Sequence, residues 1–399
     1  MNGMKRGMTR ILLSALAARG GGGVTYLRNI VRTFPDGPDA RLSVLAHESF
    51  ETMPAQANVE WIKAPRWAGG PILRFLFGFL YFRFFWPRRR DFDLVFCAGG
   101  SFDVPLPGNV KRVALFHNML PFDRDSRGLY GPGWLRLRFW LLRFVLGWAL
   151  RRADFVIFIS DHGRRVIDRA LGSRRGGAAV IRHGVSGSEA LLDPDLAGRL
   201  PERFLLYLSP IHPYKAQLEL VEAWSLLRRS GPIREKLVLA GPDHPPYARR
   251  VRKAIARHGL QDDILLLGEV PPDQVFDLAR RSTANLFLSL CENCPLTLLE
   301  LMKVGRPLLV SSRQPMPELG GAELLYVDPF DVPGVAAAIA GLVGDAAARQ
   351  RLAAAAARRA ETFSWERCGG ATWEAVRAAL DQAAPRPAPI THGPLATSR

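Results

Sequence analysis

Short apolar blocks bounded by Gly, Pro or charged residues alternate along this chain with stretches whose apolar residues recur every third or fourth position. The first texture predicts buried parallel strands and the second predicts helices packed on them. The opening unit reads strand (9–16), a loop ending in Gly20, Gly21, Gly22 and Gly23, then a helix (24–34) carrying Leu27, Ile30, Val31 and Phe34 on one face. Further strands are predicted at 42–46 and 59–62, within 94–100 as a strand followed by a loop, in the apolar segment before His117, and in the segment ending at Ser160. After a strand-like segment at 178–186 and a linker-like run, the alternation restarts with a strand at 204–208 and a helix containing Lys215, Leu218, Val221 and Trp224. Strand and helix in alternation imply an α/β fold with parallel sheets.

Two stretches break the pattern. Residues 71–90 and 134–152 are crowded with Phe, Leu, Trp and Arg around most of the helical circumference. Such helices suit an anionic bilayer interface, or they are crossover helices packed on a sheet with arginines reaching outward. For 134–152 the expectation is a core helix, since it feeds directly into the strand before Ser160; for 71–90 both readings stand.

Composition narrows the class. A chain of 399 residues with 48% hydrophobic and 10% aromatic content supports two globular domains. The excess of Lys and Arg, a net charge of +17, favours anionic partners: phosphorylated substrates, anionic lipid or nucleic acid. Four cysteines (Cys97, Cys291, Cys294 and Cys368) are too few for a disulfide scaffold and point to a reducing, cytoplasmic setting. Cys291 and Cys294 form a C-x-x-C without a second pair or a nearby His, so no metal site is expected. The basic start has a short apolar run that reads better as a first strand than as a signal peptide, and no stretch is long and apolar enough to span a membrane.

The chemistry concentrates at 286–310. An apolar strand (286–290) meets a break at Cys291, Glu292, Asn293, Cys294 and Pro295; a helix follows to Lys303 and stops at Gly305 before another strand, 307–310. Pro in the first turn and Gly at the stop fit helix boundaries. The free backbone N–H groups of that helix start are where a phosphate would be held. Glu292 and Glu300 would accept hydrogen bonds from sugar hydroxyls. The Glu spacing alone is weak, since about one such pair arises by chance in a chain this long.

Glu292, seven residues, Glu300 and then VGRPLLV resemble the signature of the retaining nucleotide-sugar glycosyltransferases of family 4. The resemblance is strong in the C-terminal half and weak in the N-terminal half. It implies the GT-B fold: two Rossmann-like parallel-sheet domains facing each other across a cleft, with a C-terminal helix crossing back to the first. The implied division is an acceptor-side domain at 1–190, a linker at 191–200, a nucleotide-sugar domain at 201–364, a crossover helix at 365–383 and a disordered tail at 384–399.

The resemblance also implies roles. Glu292, His117 and Lys215 would be catalytic, with Glu292 holding the donor sugar and Lys215 neutralising the diphosphate. Gly22, Gly23, Ser209, Gly241, Gly268, Val270, Asn293, Cys294, Pro295, Leu296, Thr297 and Glu300 would line the donor, with Glu300 on the ribose. Asn118 and Asp123 are weaker candidates for the acceptor. Two departures from the pattern stand out: Pro210 occupies the position of an expected Arg, and Asn293 and Cys294 replace the usual Gly and aromatic. The implied reaction is metal-independent and retaining, uses no cofactor, and moves a sugar from a UDP- or GDP-linked donor to a glycan or lipid-linked glycan. The setting would be envelope polysaccharide synthesis, on or near the inner face of the plasma membrane. The alternatives are an epimerase or phosphorylase on the same fold, or a basic nucleic-acid- or membrane-binding protein; no nucleic-acid motif supports the former of these binding roles.

Overall fold

The computed structural model describes residues 8–381 apart from 19, 51, 52, 54, 55, 85–91, 103–108, 173 and 175. The tail expected at 384–399 and the last arginines of the 71–90 stretch lie outside the described residues.

Strands β1 (Thr9–Ser14), β2 (Ala40–His47), β3 (Val59–Ala64), β4 (Leu94–Cys97), β5 (Lys111–Phe116), β6 (Phe155–Phe158) and β7 (Gly177–Val180) form one parallel sheet in the order β3-β2-β1-β4-β5-β6-β7. A second parallel sheet contains β8 (Phe204–Leu208), β9 (Lys236–Ala240), β10 (Ile264–Gly268), β11 (Ala284–Phe287), β12 (Leu308–Ser311) and β13 (Leu325–Val327), in the order β10-β9-β8-β11-β12-β13. Strands β4, β6, β8, β11 and β12 are buried along their whole length. Helices on both faces of each sheet exclude water there, so strands read as unbroken apolar blocks rather than alternating ones.

The helices of the first domain are α1 (Gly21–Arg32), α2 (Pro71–Phe84), α3 (Arg124–Gly128), α4 (Trp134–Arg152) and α5 (Asp161–Leu171). After α6 (Pro194–Gly198) come α7 (Gln217–Ser230), α8 (Pro245–Arg257), α9 (Val275–Arg281), α10 (Leu296–Val304), α11 (Met316–Gly320), α12 (Val332–Gly344), α13 (Ala346–Ala360) and α14 (Trp365–Asp381). A continuous buried cluster runs from α1 and one face of the first sheet through α14 to α10 and the facing side of the second sheet. The outer face of the second sheet packs on α7, α8 and α12, and that of the first on α2, α4 and α5. No single helix among the described residues is long and apolar enough to cross a membrane.

The final helix returns to the first domain. Trp373 of α14 packs edge-on against Phe34 at 4.8 Å, and its Nε1 donates to the Ile30 carbonyl at 3.1 Å. The chain therefore crosses between domains twice, after β7 and before α14, and the crossings touch. Val185 N–H donates to the Phe363 carbonyl, and a Cβ on Gly184 would lie 2.2 Å from Trp365 N, so only glycine fits there.

Several sequence expectations shift. Helix α1 starts at Gly21 rather than residue 24, so three glycines form its first turn. The linker at 191–200 holds a short helix, α6, capped by Asp193 accepting from Asp195 N–H. Lys215 lies in a 3-10 turn (Pro213–Lys215) outside α7, because Ala216 adopts a left-handed conformation at φ 55°. The strand expected at 286–290 ends at Phe287; beyond it the chain leaves the sheet, and Leu290 N–H donates to the Tyr214 carbonyl at 2.8 Å. Helix α4 is buried only on the side of Phe139, Leu146, Ala149 and Leu150, so the core expectation for 134–152 holds for half its circumference.

Candidate functional site

Strand order reverses between β1 and β4 in the first sheet and between β8 and β11 in the second. Open parallel sheets bind ligands at the carboxyl ends of strands beside such reversals. At one reversal the chain passes from β1 through the glycine loop into α1; at the other it passes from β11 through Glu292 into α10. The two helix starts meet: a Cβ on Gly22 would lie 3.3 Å from Leu296 Cδ1. Helix α10 begins at Pro295 without a side-chain cap, leaving its first N–H groups to act on a ligand in the cleft.

Lys215 Nζ donates to Glu292 Oε1 at 2.5 Å, and both side chains are largely buried. Ser289 Oγ donates to the same carboxylate oxygen at 2.6 Å. Burial alone would lower the Lys215 pKa, but the Glu292 carboxylate outweighs it and raises the value, so the ammonium stays charged. The ring of Tyr214 lies 4.9 Å from Nζ. The loop that carries the lysine is fixed by Gln217, whose Nε2 donates to Ser209 Oγ at 2.9 Å and to the Pro210 carbonyl at 2.8 Å. Pro210 itself supplies no cation. Two residues on, His212 is held neutral: burial, His244 and Lys215 together lower its pKa to about 4. Its Nδ1 pairs with Tyr130 Oη of the first domain at 2.6 Å.

Asn293 spans the cleft. Its Nδ2 donates to the carbonyls of Phe116 and His117 at the end of β5 (2.9 and 3.1 Å), and its Oδ1 accepts from Ser160 Oγ. Ser160 in turn caps α5 by accepting from Gly163 N–H at 2.9 Å. A second bridge stands alongside. The Glu318 carboxylate accepts from the N–H groups of Asp161 and His162 at the start of α5 and from Arg182. A carboxylate at a helix start is electrostatically favoured there.

His117 sits at the carboxyl edge of β5, partly exposed, walled by Tyr26 of α1 and by His183, each with its ring centroid 5.3 Å away. Burial lowers its pKa to about 4, so the ring is neutral in the physiological range. Glu300, one turn into α10 and partly exposed, has its carboxyl pushed up to about 7 by burial.

The remaining predicted residues divide. Gly241 is wedged between strand ends: a Cβ there would lie 2.3 Å from the Ser209 carbonyl oxygen, and its N–H donates to Gly268. Ser209, Gly241 and Gly268 thus form one rim of backbone. A Cβ on Gly23 would meet Ala18 of its own loop, at 3.6 Å, rather than the second domain. The side chains of Val270 and Cys294 are buried in the core, so only their backbone groups are available to a ligand. Thr297 stays in the first turn of α10. Cys291 and Cys294 pack into different core clusters with their thiols raised by burial, the latter to about 12. Of the acceptor candidates, Asp123 caps α3 by accepting from Ser126 N–H.

Sequence reasoning missed Glu318, Tyr130 and the bridging side chain of Asn293. Only Ser160 followed by Asp161 carried a local signal, that of a helix N-cap. A hollow of about 810 Å³ between β13, α12 and α13 borders none of these residues.

Known proteins resemble this chain along most of its length. The model of glycosyl transferases group 1 matches residues 193–359, and that of glycosyltransferase family 4 matches residues 20–188. The serotype-specific mannosyltransferase WbdA of Escherichia coli is 27% identical over 282 residues, covering 67% of this chain and 34% of that protein. The chain thus spans about a third of the length of the curated relatives matched in this way. The O-antigen chain mannosyltransferase B of Escherichia coli is 29% identical over 312 residues, covering 74% of this chain and 79% of that one. Among solved structures, Anabaena Alr3699/HepE in complex with UDP and glucose superposes with a TM-score of 0.69 at 18% identity, covering 93% of this chain and 100% of that one. Matched in its two halves by these two models, the chain belongs to the glycosyltransferases of group 1 and family 4, with the GT-B fold.

Proposed function

We propose that this protein is a retaining hexosyltransferase that moves a sugar from a nucleotide-diphosphate donor to a glycan or lipid-linked glycan hydroxyl, without a metal. The observation that carries the reading is the buried Lys215–Glu292 pair beside the uncapped start of α10, at one strand reversal and facing the other. An ammonium has three donors; Glu292 takes one, leaving two for diphosphate oxygens. Those donors and the α10 N–H groups stabilise the charge that develops as the sugar–phosphate bond breaks. They supply from the protein the positive charge that a metal would otherwise bring.

Glu292 also orients the donor sugar through its hydroxyls, and Glu300 binds the ribose diol. The glycosidic carbon exchanges its phosphate oxygen for the acceptor oxygen on the same face. The departing phosphate oxygen, still beside Lys215, takes the acceptor's proton, so the anomeric configuration is retained. Neutral His117 lies where it supplies a hydrogen bond rather than a charge to the sugar or acceptor. The bridges through Asn293 and Glu318 hold the domains together over the donor, which limits water attack. The names of the two Escherichia coli relatives favour a mannosyl donor and an envelope polysaccharide acceptor.

The test is a thermal-shift screen against GDP, UDP, ADP and their common sugars in chelator-containing buffer, followed by NMR assignment of the product anomer. Stabilisation by one nucleotide that is lost in Glu300→Ala, with a retained anomer, is expected. No stabilisation by any nucleotide, or an inverted product, overturns the reading.

A further inference from the structure

The outward side of α4 presents Trp134, Leu137, Leu141, Phe144 and Trp148 to solvent. Their spacing of three and four residues places them on one stripe about 21 Å long, opposite the side that packs on the sheet. Helix α2 covers the same face of the first sheet and does likewise: Phe77 is buried, while Leu73, Leu76, Leu80 and Phe84 are exposed. Apart from Met8, Leu191 and Phe330, every exposed large hydrophobic side chain among the described residues lies on α2, on α4 or at Trp67 just before α2. A concentration of this kind marks an interaction surface rather than scattered exposure.

We propose that this face is a docking surface for an anionic lipid bilayer. Charge selects the occupant. Helix α4 contains no acidic residue, and Arg136, Arg138, Arg151 and Arg152 are exposed toward its two ends. Helix α2 likewise has no Asp or Glu in its sequence. A second copy of the chain would set arginine against arginine across the stripe. A bilayer instead takes the indoles and Phe144 at headgroup depth and pairs the arginines with lipid phosphates. The Arg152 guanidinium already lies 4.6 Å from the Trp148 ring, an arrangement of aromatic and cation that suits that interface.

Helix α4 is tied to the cleft on its buried side. Tyr130, four residues before α4, stacks edge-on with Phe139 of that helix at 5.1 Å and hydrogen-bonds His212 of the second domain. Through this contact α4 reaches the cleft edge on its inner side, and a lipid-linked acceptor would pass from a bilayer on its outer side toward that edge. This last point rests on the proposed function; the docking itself does not.

The experiment is co-sedimentation of the full chain with phosphatidylcholine vesicles, with and without phosphatidylglycerol, alongside tryptophan emission and analytical ultracentrifugation. Binding to the anionic vesicles at least about tenfold above the neutral ones, weakened by salt and accompanied by a blue shift, is expected. Phe144→Ser with Trp148→Ser should abolish binding, and Arg138→Gln with Arg151→Gln should weaken it about tenfold. Both variants should keep the wild-type melting temperature and nucleotide-induced thermal shift, which separates loss of docking from failure of the donor-site reading. Equal binding to both vesicle types, no binding to either, or a dimer dispersed by the serine substitutions would overturn the proposal.

Discussion

Ser160 Oγ lies 2.6 Å from Asn293 Oδ1, although 133 residues separate the two in sequence and each belongs to a different domain. The same amide donates to two carbonyls at the end of β5, so one side chain makes three bonds across the cleft. Asn293→Gly leaves these groups without partners, at a cost of about 1–3 kcal/mol for each one that water does not reach. The expected result is a lower melting temperature, a larger radius of gyration in X-ray scattering, and a donor KM raised more than kcat is lowered. A Cβ on Gly163 would lie 2.5 Å from Asn293 Oδ1, so Gly163→Ala should reproduce the defect alone and add little to Asn293→Gly.

Removing one member of the buried ion pair strands the other. Lys215→Ala should destabilise the protein by about 3–5 kcal/mol, because it leaves the Glu292 carboxyl largely buried without its partner. The double variant Lys215→Met with Glu292→Leu should regain most of the stability while remaining inactive. Chemical denaturation and a donor-hydrolysis assay read the two effects separately. A stable Lys215→Ala would show that the pair contributes little.

Glu300 supplies a pH signature. Its carboxyl is held up to about 7 by burial. The folded state keeps this proton to higher pH than the unfolded chain, so the associated stability is full below the usual carboxylate range and lost as pH rises toward 7. A ribose diol binds the ionised form better, so nucleotide affinity should climb between about pH 6 and about pH 8. Calorimetry should find proton release on binding near pH 7, and Glu300→Gln should flatten the profile.

Acid should act through the histidines. The pKa values of His117 and His212 are both lowered to about 4, His117 by burial and His212 by burial together with His244 and Lys215, and burial also lowers His183. Each contributes stability that is present above the ordinary value of 6.5 and lost as pH falls toward the folded value. The melting temperature should therefore drop from about pH 6.5 downward, and His212→Asn should make that drop shallower.

The α/β alternation, the Glu292–Glu300 helix and the site of Lys215 were legible because each is written in consecutive residues: apolar blocks, a Pro-started helix, a strand-end loop. The bridges were not. Asn293, Glu318 and Tyr130 find partners 82 to 177 residues away, and nothing local distinguishes them from solvated side chains. Pattern also failed at Ala216, a residue with high helix propensity that here takes a left-handed turn; tertiary packing around Lys215 overrides the propensity. Helix α4 was read as core because it feeds directly into β6, and its apolar residues gave no sign of which side faces out. Periodicity finds one buried face by contrast with a polar one, and α4 offers no such contrast.

The two interdomain crossings, Gly184 pressed against Trp365 and Val185 bonded to Phe363, set the kinematics of the whole molecule. Two bodies joined by a single tether slide and twist freely, but these two are hung on a pair of pins set side by side. Any opening would thereby be reduced to a swing about one axis that returns Lys215 and Gly22 to the same alignment. Registration of the first domain with the second would be built into the hinge itself.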